Sequence, residues 1–347
     1  MSEMSFLFRN FANVFCGIMK RKVIVASDSF KGTYTSAQIG EMVASVLPSE
    51  EYEVKCLTCS DGGEGFCRCL TNACGGIYNK VIVHDPLGRI VCAEYGIIDN
   101  DTAVIEVAQA CGLMHLKPEE YDPWNASSYG VGEMIADALK KGYRKIIIGL
   151  GGSATSDCGK GMLEALKGIG IIDECEFTIA SDVTNPLCGK QGAAYVYAPQ
   201  KGADAETVGK IEERTLRFGQ YLEQISGKSI INLPGAGAAG GIGAALLTMN
   251  YVKMVSGIEL LLDRQHFDED LRNTDIVITG EGCIDEQTLN GKAPYRIAQI
   301  ANNAGVPCVA LYGRLKLSSD QLVLAPWRSL IQIKSFTEET LRKSLIR

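Results

Sequence analysis

Short apolar runs alternate along the chain with glycine-rich loops and with segments of helical periodicity. The first run, residues 22–27, is rich in β-branched side chains and ends in the polar loop 28–32. An apolar-periodic segment follows, which Ser36 is predicted to cap and which runs to Pro48. The same order recurs at three later runs, residues 53–58, 145–149 and 275–279. This alternation predicts an α/β fold with largely parallel sheets.

Two segments depart from this alternation of strand and helix patterns. Apolar and polar residues alternate over 90–98, after a turn at 85–88, which predicts an antiparallel hairpin and the start of a second domain. Residues 1–18 are rich in apolar side chains, but Arg9, Asn10 and Asn13 interrupt them and the basic residues 20–22 follow instead of preceding them. We therefore expect a leader that is not essential and is not a secretion signal.

Composition narrows the classes of partner. The chain has 347 residues, more than one hydrophobic core usually serves, so two domains are expected. Its formal charge is −7 and it has no long run rich in lysine and arginine, which disfavours nucleic acid or an anionic membrane as partner and favours small molecules. Thirteen cysteines show no spacing typical of a small secreted domain, so we expect reduced thiols and a cytoplasmic protein.

The loop at 28–32 combines the groups that phosphate chemistry needs. Asp28 can accept a proton or hold Mg²⁺, Ser29 offers a hydroxyl, and Lys31 can neutralise a transferring phosphoryl group. Gly32 lets the backbone approach a ligand. An ordinary polar turn with a surface lysine is the alternative for this loop taken alone.

The loop at 61–65 offers two carboxylates among glycines. Asp61 and Glu64 supply the hard oxygen ligands that suit Mg²⁺. A solvated turn is again the alternative.

Two further loops carry candidate binding groups at strand ends. Backbone amides and hydroxyls after the run 145–149 can form an anion cradle, made of Gly151, Gly152, Ser153 and Thr155. The loop after 275–279 offers Glu281, Gly282 and Asp285. A structural turn is the alternative for each.

The run 235–240 satisfies the glycine spacing of a dinucleotide-binding loop. Pro234 interrupts the step from strand to loop, and no clear second strand ends at the acidic Glu259. An NAD-dependent oxidoreductase is therefore kept as a weaker alternative.

Taken in order, these loops resemble those of the glycerate kinase family of the bacterial type, from about residue 22 to about residue 312. Eight segments carry the resemblance, at residues 28–32, 61–65, 128–133, 149–155, 182–187, 199–203, 234–241 and 279–285.

The resemblance implies ATP-dependent phosphorylation of D-glycerate, at the 2-hydroxyl, with Mg²⁺. It also implies a Rossmann- or flavodoxin-like parallel-sheet domain with a second α/β domain inserted, for which we predict residues 19–85 with 273–347 and residues 86–272. Glycerate and a nucleotide are the implied partners, and a homodimer is one option for the assembly.

Roles for the site residues follow from residue type together with the resemblance. The predicted catalytic residues are Asp28, Lys31 and Asp285, with either aspartate as the proton acceptor. The predicted metal ligands are Asp61, Glu64 and Glu281. Substrate or phosphate is predicted to bind to Ser29, Gly32, Gly151, Gly152, Ser153, Thr155, Asp182, Asn185 and Gly282.

One departure from the family pattern bears on activity. Cys283 stands where the family usually has arginine. If that arginine made a charge-assisted hydrogen bond to substrate, its loss costs about 1.5–3 kcal/mol. A weakened relative, or a kinase for another small hydroxy acid, is therefore the main alternative to a glycerate kinase.

Overall fold

The computed structural model describes residues 20–30, 33–60, 62–289 and 291–346. Three predicted site residues, Lys31, Gly32 and Asp61, lie outside these ranges, and so does the predicted leader 1–18. None of the described helices has the length and apolar composition needed to cross a membrane.

The described strands and helices follow one another along the whole chain. The strands are β1 (Arg21–Ser27), β2 (Tyr52–Thr58), β3 (Ile77–His84), β4 (Ile90–Ile98), β5 (Thr102–Glu106), β6 (Lys145–Gly149), β7 (Glu176–Ala180), β8 (Tyr251–Val255), β9 (Ile276–Ile284), β10 (Cys308–Leu315) and β11 (Ser329–Gln332). The helices are α1 (Ser36–Val46), α2 (Phe66–Ala73), α3 (Ala108–Cys111), α4 (Tyr129–Lys140), α5 (Lys160–Ala165), α6 (Ala193–Tyr197), α7 (Ala205–Ser226), α8 (Ile242–Leu247), α9 (Gly257–Arg264), α10 (Phe267–Leu271), α11 (Glu286–Leu289), α12 (Ala293–Asn303), α13 (Ser319–Val323) and α14 (Glu338–Ile346). Short 3₁₀ helices lie at Leu113–His115, Pro118–Glu120, Gly170–Glu174, Pro199–Lys201, Ala238–Gly241 and Ile333–Ser335.

The chain divides into two compact units. Met1–Thr58 and His266–Arg347 form the first unit, and the continuous segment Cys59–Gln265 forms the second. Each unit is built on one sheet, and parallel pairing predominates in both. The predicted fold class, a parallel-sheet α/β unit formed by both chain ends with a second α/β unit inserted, is confirmed.

The first unit contains five parallel strands in the order β11-β10-β9-β1-β2. Apolar side chains of β1 and β9, such as Val25 and Ile278, pack with Ile39 of α1 in its core. Because the strands are parallel, their C-terminal ends share one edge of the sheet, where ligands usually bind in such folds.

Helix α1 begins one residue earlier than the predicted cap implied. Thr35 is the N-cap, since its hydroxyl accepts the Gln38 amide at 3.2 Å and the Gln38 side chain accepts the Thr35 amide at 2.9 Å. Ser36 is instead the first helical residue, and its hydroxyl donates to the Ser27 carbonyl at 2.6 Å. This bond ties the helix to the end of β1.

The second unit contains six strands in the order β3-β4-β5-β6-β7-β8. Strands β3, β4 and β5 pair antiparallel and the others pair parallel, which confirms the predicted hairpin. Apolar helix residues cover the sheet in two clusters. One cluster contains Phe66 and Leu70 of α2, and the other contains Met134 and Ile135 of α4.

The predicted domain boundaries at 85 and 272 do not coincide with the observed division at 58 and 265. Strand β3 pairs along its whole length with β4, and α2 packs on the same sheet, so residues 59–85 belong to the second unit. Helix α10 belongs to the first unit, where Asp270 pairs with Lys55 of β2. The hairpin of β3 and β4 misled the boundary prediction because both of its strands belong to the second unit, so the boundary must lie before β3 and not at the turn after it.

Strand β9 is longer than predicted. It runs to Ile284, with Glu281 paired to Tyr312 of β10, so most of the predicted loop 280–285 is strand. The two glycines that suggested a loop allow close approach instead. A Cβ atom at Gly280 would lie 2.4 Å from the Leu311 carbonyl oxygen.

Candidate functional site

Two loops of the second unit meet backbone to backbone. The Gly151 amide donates to the Gly62 carbonyl at 3.0 Å. A Cβ atom at Gly151 would lie 2.1 Å from the Gly63 Cα atom, so no side chain fits there. Gly152 adopts a left-handed φ of +74°, and Glu64 is exposed on the partner loop. The structure thus brings together the predicted loops 61–65 and 149–155.

Glu106 holds the first of these loops, and sequence reasoning missed it. It is the last residue of β5 and only 1 % of its surface is exposed. Both carboxylate oxygens accept the Gly65 amide at 3.1 Å, and one accepts the Cys67 amide at 3.2 Å. The carboxylate therefore binds amides that the start of α2 leaves without helical partners.

Burial shifts the titration of the Glu106 carboxyl group toward neutral pH. It raises the pKa of Glu106 to about 7, against the lowering effect of the Gly65 and Cys67 amides. Glu106 also lies opposite Gly149 in the pairing of β5 with β6. Its ionisation state can therefore affect both loops.

Lys201 is a buried cation beside the predicted anion cradle, and sequence reasoning missed it as a site residue. It ends the 3₁₀ helix Pro199–Lys201 and is 3 % exposed. Its Nζ atom donates to the Ser153 hydroxyl at 3.0 Å and to the Thr155 carbonyl at 2.7 Å. Burial lowers the pKa of Lys201 to about 8, so the ammonium group remains mainly charged at pH 7. A fixed positive charge next to Ser153 favours a bound anion.

Asp182 and Asn185 use their side chains to fix the local backbone. The Asp182 carboxylate accepts the Ile258 amide at 3.2 Å, at the start of α9. The Asn185 side chain donates to the Gln191 carbonyl at 2.8 Å and accepts the Tyr197 hydroxyl at 2.6 Å. A positioning role is thus what the described contacts support for these two residues.

In the first unit, Asp28 and Ser29 lie where β1 ends beside β9. The Asp28 amide donates to the Gly280 carbonyl at 3.0 Å, and the Asp28 carboxylate accepts the Ser29 amide at 2.7 Å. A Cβ atom at Gly282 would lie 3.2 Å from the Phe30 Cα atom. The predicted residues Asp28, Ser29 and Gly282 are therefore close neighbours in the structure.

Glu281 and Asp285 are linked through Thr288. The Thr288 hydroxyl donates to the Glu281 carboxylate, and it accepts the Asp285 amide at 3.0 Å. The Asp285 carboxylate accepts the Gln287 amide at 3.0 Å and the Thr288 amide at 3.4 Å, which makes it a cap of α11. Both aspartates thus bind local backbone amides, Asp285 at the start of α11 and Asp28 at Ser29, and both remain candidates for the proton acceptor.

Arg314 lies directly opposite Cys283. The two residues are register partners on β10 and β9, as are Tyr312 and Glu281. Since side chains alternate along a strand, Arg314 shares a sheet face with Cys283 and Glu281. A cation is therefore present next to the position where the family pattern would have placed one.

The glycines of 235–240 have a packing explanation. Gly240 has a left-handed φ of +64°, and a Cβ atom there would lie 2.0 Å from the Thr155 carbonyl oxygen. Residues 227–237, all described, contain no strand that could lead into a dinucleotide-binding loop. The spacing match thus reflects close packing against the anion cradle, and the oxidoreductase interpretation has no support in this geometry.

Comparison with known proteins points to one family. The model of the glycerate kinase family matches residues 23–174 and 167–344. A glycerate kinase of Halalkalibacterium halodurans is 39 % identical over 84 % of this chain and 85 % of its own length. A glycerate 2-kinase of Escherichia coli is 33 % identical over 85 % of each chain. A crystal structure of a protein provisionally assigned as glycerate kinase 2, from Salmonella typhimurium, covers 94 % of each chain with a TM-score of 0.74 and 33 % identity.

We expect Glu106→Gln to become progressively more stable than the unsubstituted protein as the pH rises from 5 to 8. The folded Glu106 titrates near pH 7, against 4.5 for an ordinary glutamate, so over this window the folded state binds more protons and loses stability as the pH rises. Glutamine does not titrate, and its side-chain oxygen can still accept the Gly65 amide. The difference between the two pKa values limits the gain to about 3 kcal/mol.

Urea unfolding of both proteins across this pH range measures the effect. The exposed Glu119→Gln corrects for the general loss of one negative charge. A stability difference between Glu106→Gln and the unsubstituted protein that does not change with pH would show that the buried carboxyl group does not titrate in this range.

Proposed function

The chain belongs to the glycerate kinase family and is a kinase, and from this premise we propose that it transfers the γ-phosphoryl group of ATP to the 2-hydroxyl of D-glycerate. The name of the Escherichia coli relative supports the 2-hydroxyl as acceptor. The structural observation that carries the proposal is the glycine-lined cradle 149–155 with the buried Lys201 ammonium bonded to Ser153 and Thr155.

That cradle supplies what an anionic donor needs. Phosphoryl transfer depends mainly on alignment and on neutralising negative charge, and little covalent chemistry is asked of the protein. The contact of Gly151 with the neighbouring loop fixes the shape of the cradle, and Lys201 supplies a positive charge that is already in place before the ligand binds. Binding therefore requires little reorganisation.

In the proposed step the glycerate 2-hydroxyl oxygen bonds to the γ-phosphorus, the bond from that phosphorus to ADP breaks, and the hydroxyl proton passes to the carboxylate of Asp28 or Asp285. Lys31 keeps its proposed role beside the transferring group, although it lies outside the described residues.

The donor set is compatible with Mg²⁺. No group of three acidic, histidine or cysteine side chains suited to a metal is present among the residues with described positions. Mg²⁺ in kinases is usually held by one or two carboxylates together with phosphate oxygens and water, so such a group is not required. Glu64 and Glu281, with Asp61, offer hard oxygen ligands, and the metal would supply charge neutralisation on the phosphates.

The cytoplasmic location of the protein and its assembly as a homodimer remain predictions.

The identity of the product distinguishes the proposed activity from the alternative activities. Purified protein with Mg²⁺, ATP and D-glycerate is expected to release ADP and to form 2-phosphoglycerate, which enolase consumes directly. A strict requirement for phosphoglycerate mutase would place the phosphoryl group on the 3-hydroxyl instead. Absence of glycerate-dependent ADP release would contradict the proposed activity.

We also expect Arg314 to take the place of the arginine missing at 283. Arg314→Gln should lower kcat/KM for glycerate about tenfold, since one charge-assisted hydrogen bond of about 1.4 kcal/mol is lost. Adding Cys283→Arg to that variant should restore most of the loss, because positions 283 and 314 are adjacent across the strands. Steady-state kinetics measure both effects. The control is Arg272→Gln, which changes an exposed arginine of the same unit. An unchanged kcat/KM in Arg314→Gln would remove Arg314 from the site.

A further inference from the structure

A pocket of about 460 Å³ lies in the second unit, beside the segment that follows the anion cradle. One wall is the segment from Ser156 to Lys160, and another is the outward face of α7. Ser156 directly follows Thr155, whose carbonyl oxygen binds Lys201. The pocket is thus adjacent along the chain to the proposed phosphate site, and none of its residues has a role in the function proposed above.

The pocket presents planar groups. The Arg214 guanidinium lies 4.0 Å from the centre of the Trp124 ring, and the rings of Phe218 and Tyr221 are 5.7 Å apart. Arg214 also donates to the Trp124 carbonyl at 2.7 Å and to the Ser156 carbonyl at 3.1 Å, which fixes the plane of the guanidinium. Aromatic and guanidinium planes of this kind stack with heterocyclic bases.

The pocket is also cationic. Its charged side chains are the cations Lys160, Lys210, Arg214 and Arg217 and the anions Asp157 and Glu213. The Asp157 carboxylate already accepts the Ser128 amide at 2.9 Å and the Gly159 amide at 3.0 Å. Lys210 pairs with Glu206 and Arg217 with Glu213. Lys160 and Arg214 are then the lining cations for which the described residues show no ion pair, and they favour a ligand that carries negative charge.

Two polar side chains in the wall each have a buried atom without a hydrogen-bond partner. The Ser156 residue is 1 % exposed, and its buried hydroxyl oxygen makes no hydrogen bond. The Nε atom of Arg214 is likewise buried and without a hydrogen-bond partner. Buried polar atoms are rarely left unpaired, so a ligand with hydrogen-bonding atoms would be favoured if a small side-chain movement exposed these two groups to the pocket.

We propose that this pocket binds the base and ribose of the nucleotide whose phosphates occupy the cradle 149–155. A nucleoside phosphate combines the three properties that the lining selects, namely a planar base, polar hydroxyl groups and negative charge. The assignment rests on the proposed kinase function and deepens it, because it places nucleotide recognition in the second unit. The nucleotide then contacts Ser156 and the aromatic face of α7.

Fluorescence of Trp124 reports on this pocket directly. The chain has two tryptophans, so Trp327→Phe leaves Trp124 as the only tryptophan. Titration of that variant with ADP is expected to change Trp124 emission in a saturable way, and the non-hydrolysable analogue AMP-PNP should compete. Saturable binding of ADP by calorimetry without any change in Trp124 emission would overturn the proposal, and so would the absence of ADP binding.

Matched variants then test the pocket wall. Tyr221→Ala and Lys160→Gln, both at exposed positions, should each raise the ADP dissociation constant and the KM for ATP at least fivefold and leave the KM for glycerate unchanged. Ile225→Ala, on the same helix, and Lys167→Gln are the controls, with changes below twofold expected. Equal effects in variants and controls would overturn the proposal.

The binding measurement keeps the two proposals separate. ADP binding at Trp124 without any phosphorylation of glycerate would contradict the proposed function and support this inference. Normal turnover with unaltered nucleotide affinity in both pocket variants would support the function and contradict the inference.

Discussion

The direct contact between the backbones of two loops is the constraint on which the site of the second unit depends. Gly151 approaches Gly63 so closely that any side chain at 151 would collide with the neighbouring main chain. The hydrogen bond from Gly151 to Gly62 then fixes the relative position of the loops. Because glycine loses more conformational freedom on folding than other residues, a contact of this kind needs support from the structure around it.

Two buried ionisable side chains supply that support. Glu106 accepts amides of the loop that contains Gly62, and Lys201 donates to the segment that follows Gly151. Burial of each charge is costly, and it is offset only in part by these hydrogen bonds. Burial also moves the pKa values of both groups toward neutrality. The cost is understandable if Lys201 prepares a positively charged cradle for phosphate.

Sequence patterns predicted the alternation of strands and helices, the hairpin and the glycine-rich loops after β2 and β6, because hydrophobic periodicity and glycine placement are local properties. They did not predict the extension of β9, since a strand with glycines in its interior resembles a loop. Glu106 and Lys201 were missed because their burial depends on how distant segments pack. Arg314 was missed because strand register, which places it opposite Cys283, cannot be read from sequence alone.

The turnover of Lys201→Met shows most directly whether the buried Lys201 charge prepares the cradle for phosphate. Methionine has a similar length and suits a buried position, so the variant should remain folded by circular dichroism and thermal unfolding. Without the charge beside Ser153, kcat should fall about a hundredfold, as expected for the loss of a preorganised electrostatic contact. Lys190→Met, at an exposed position, is the control. A folded Lys201→Met protein with near-normal kcat would contradict the account.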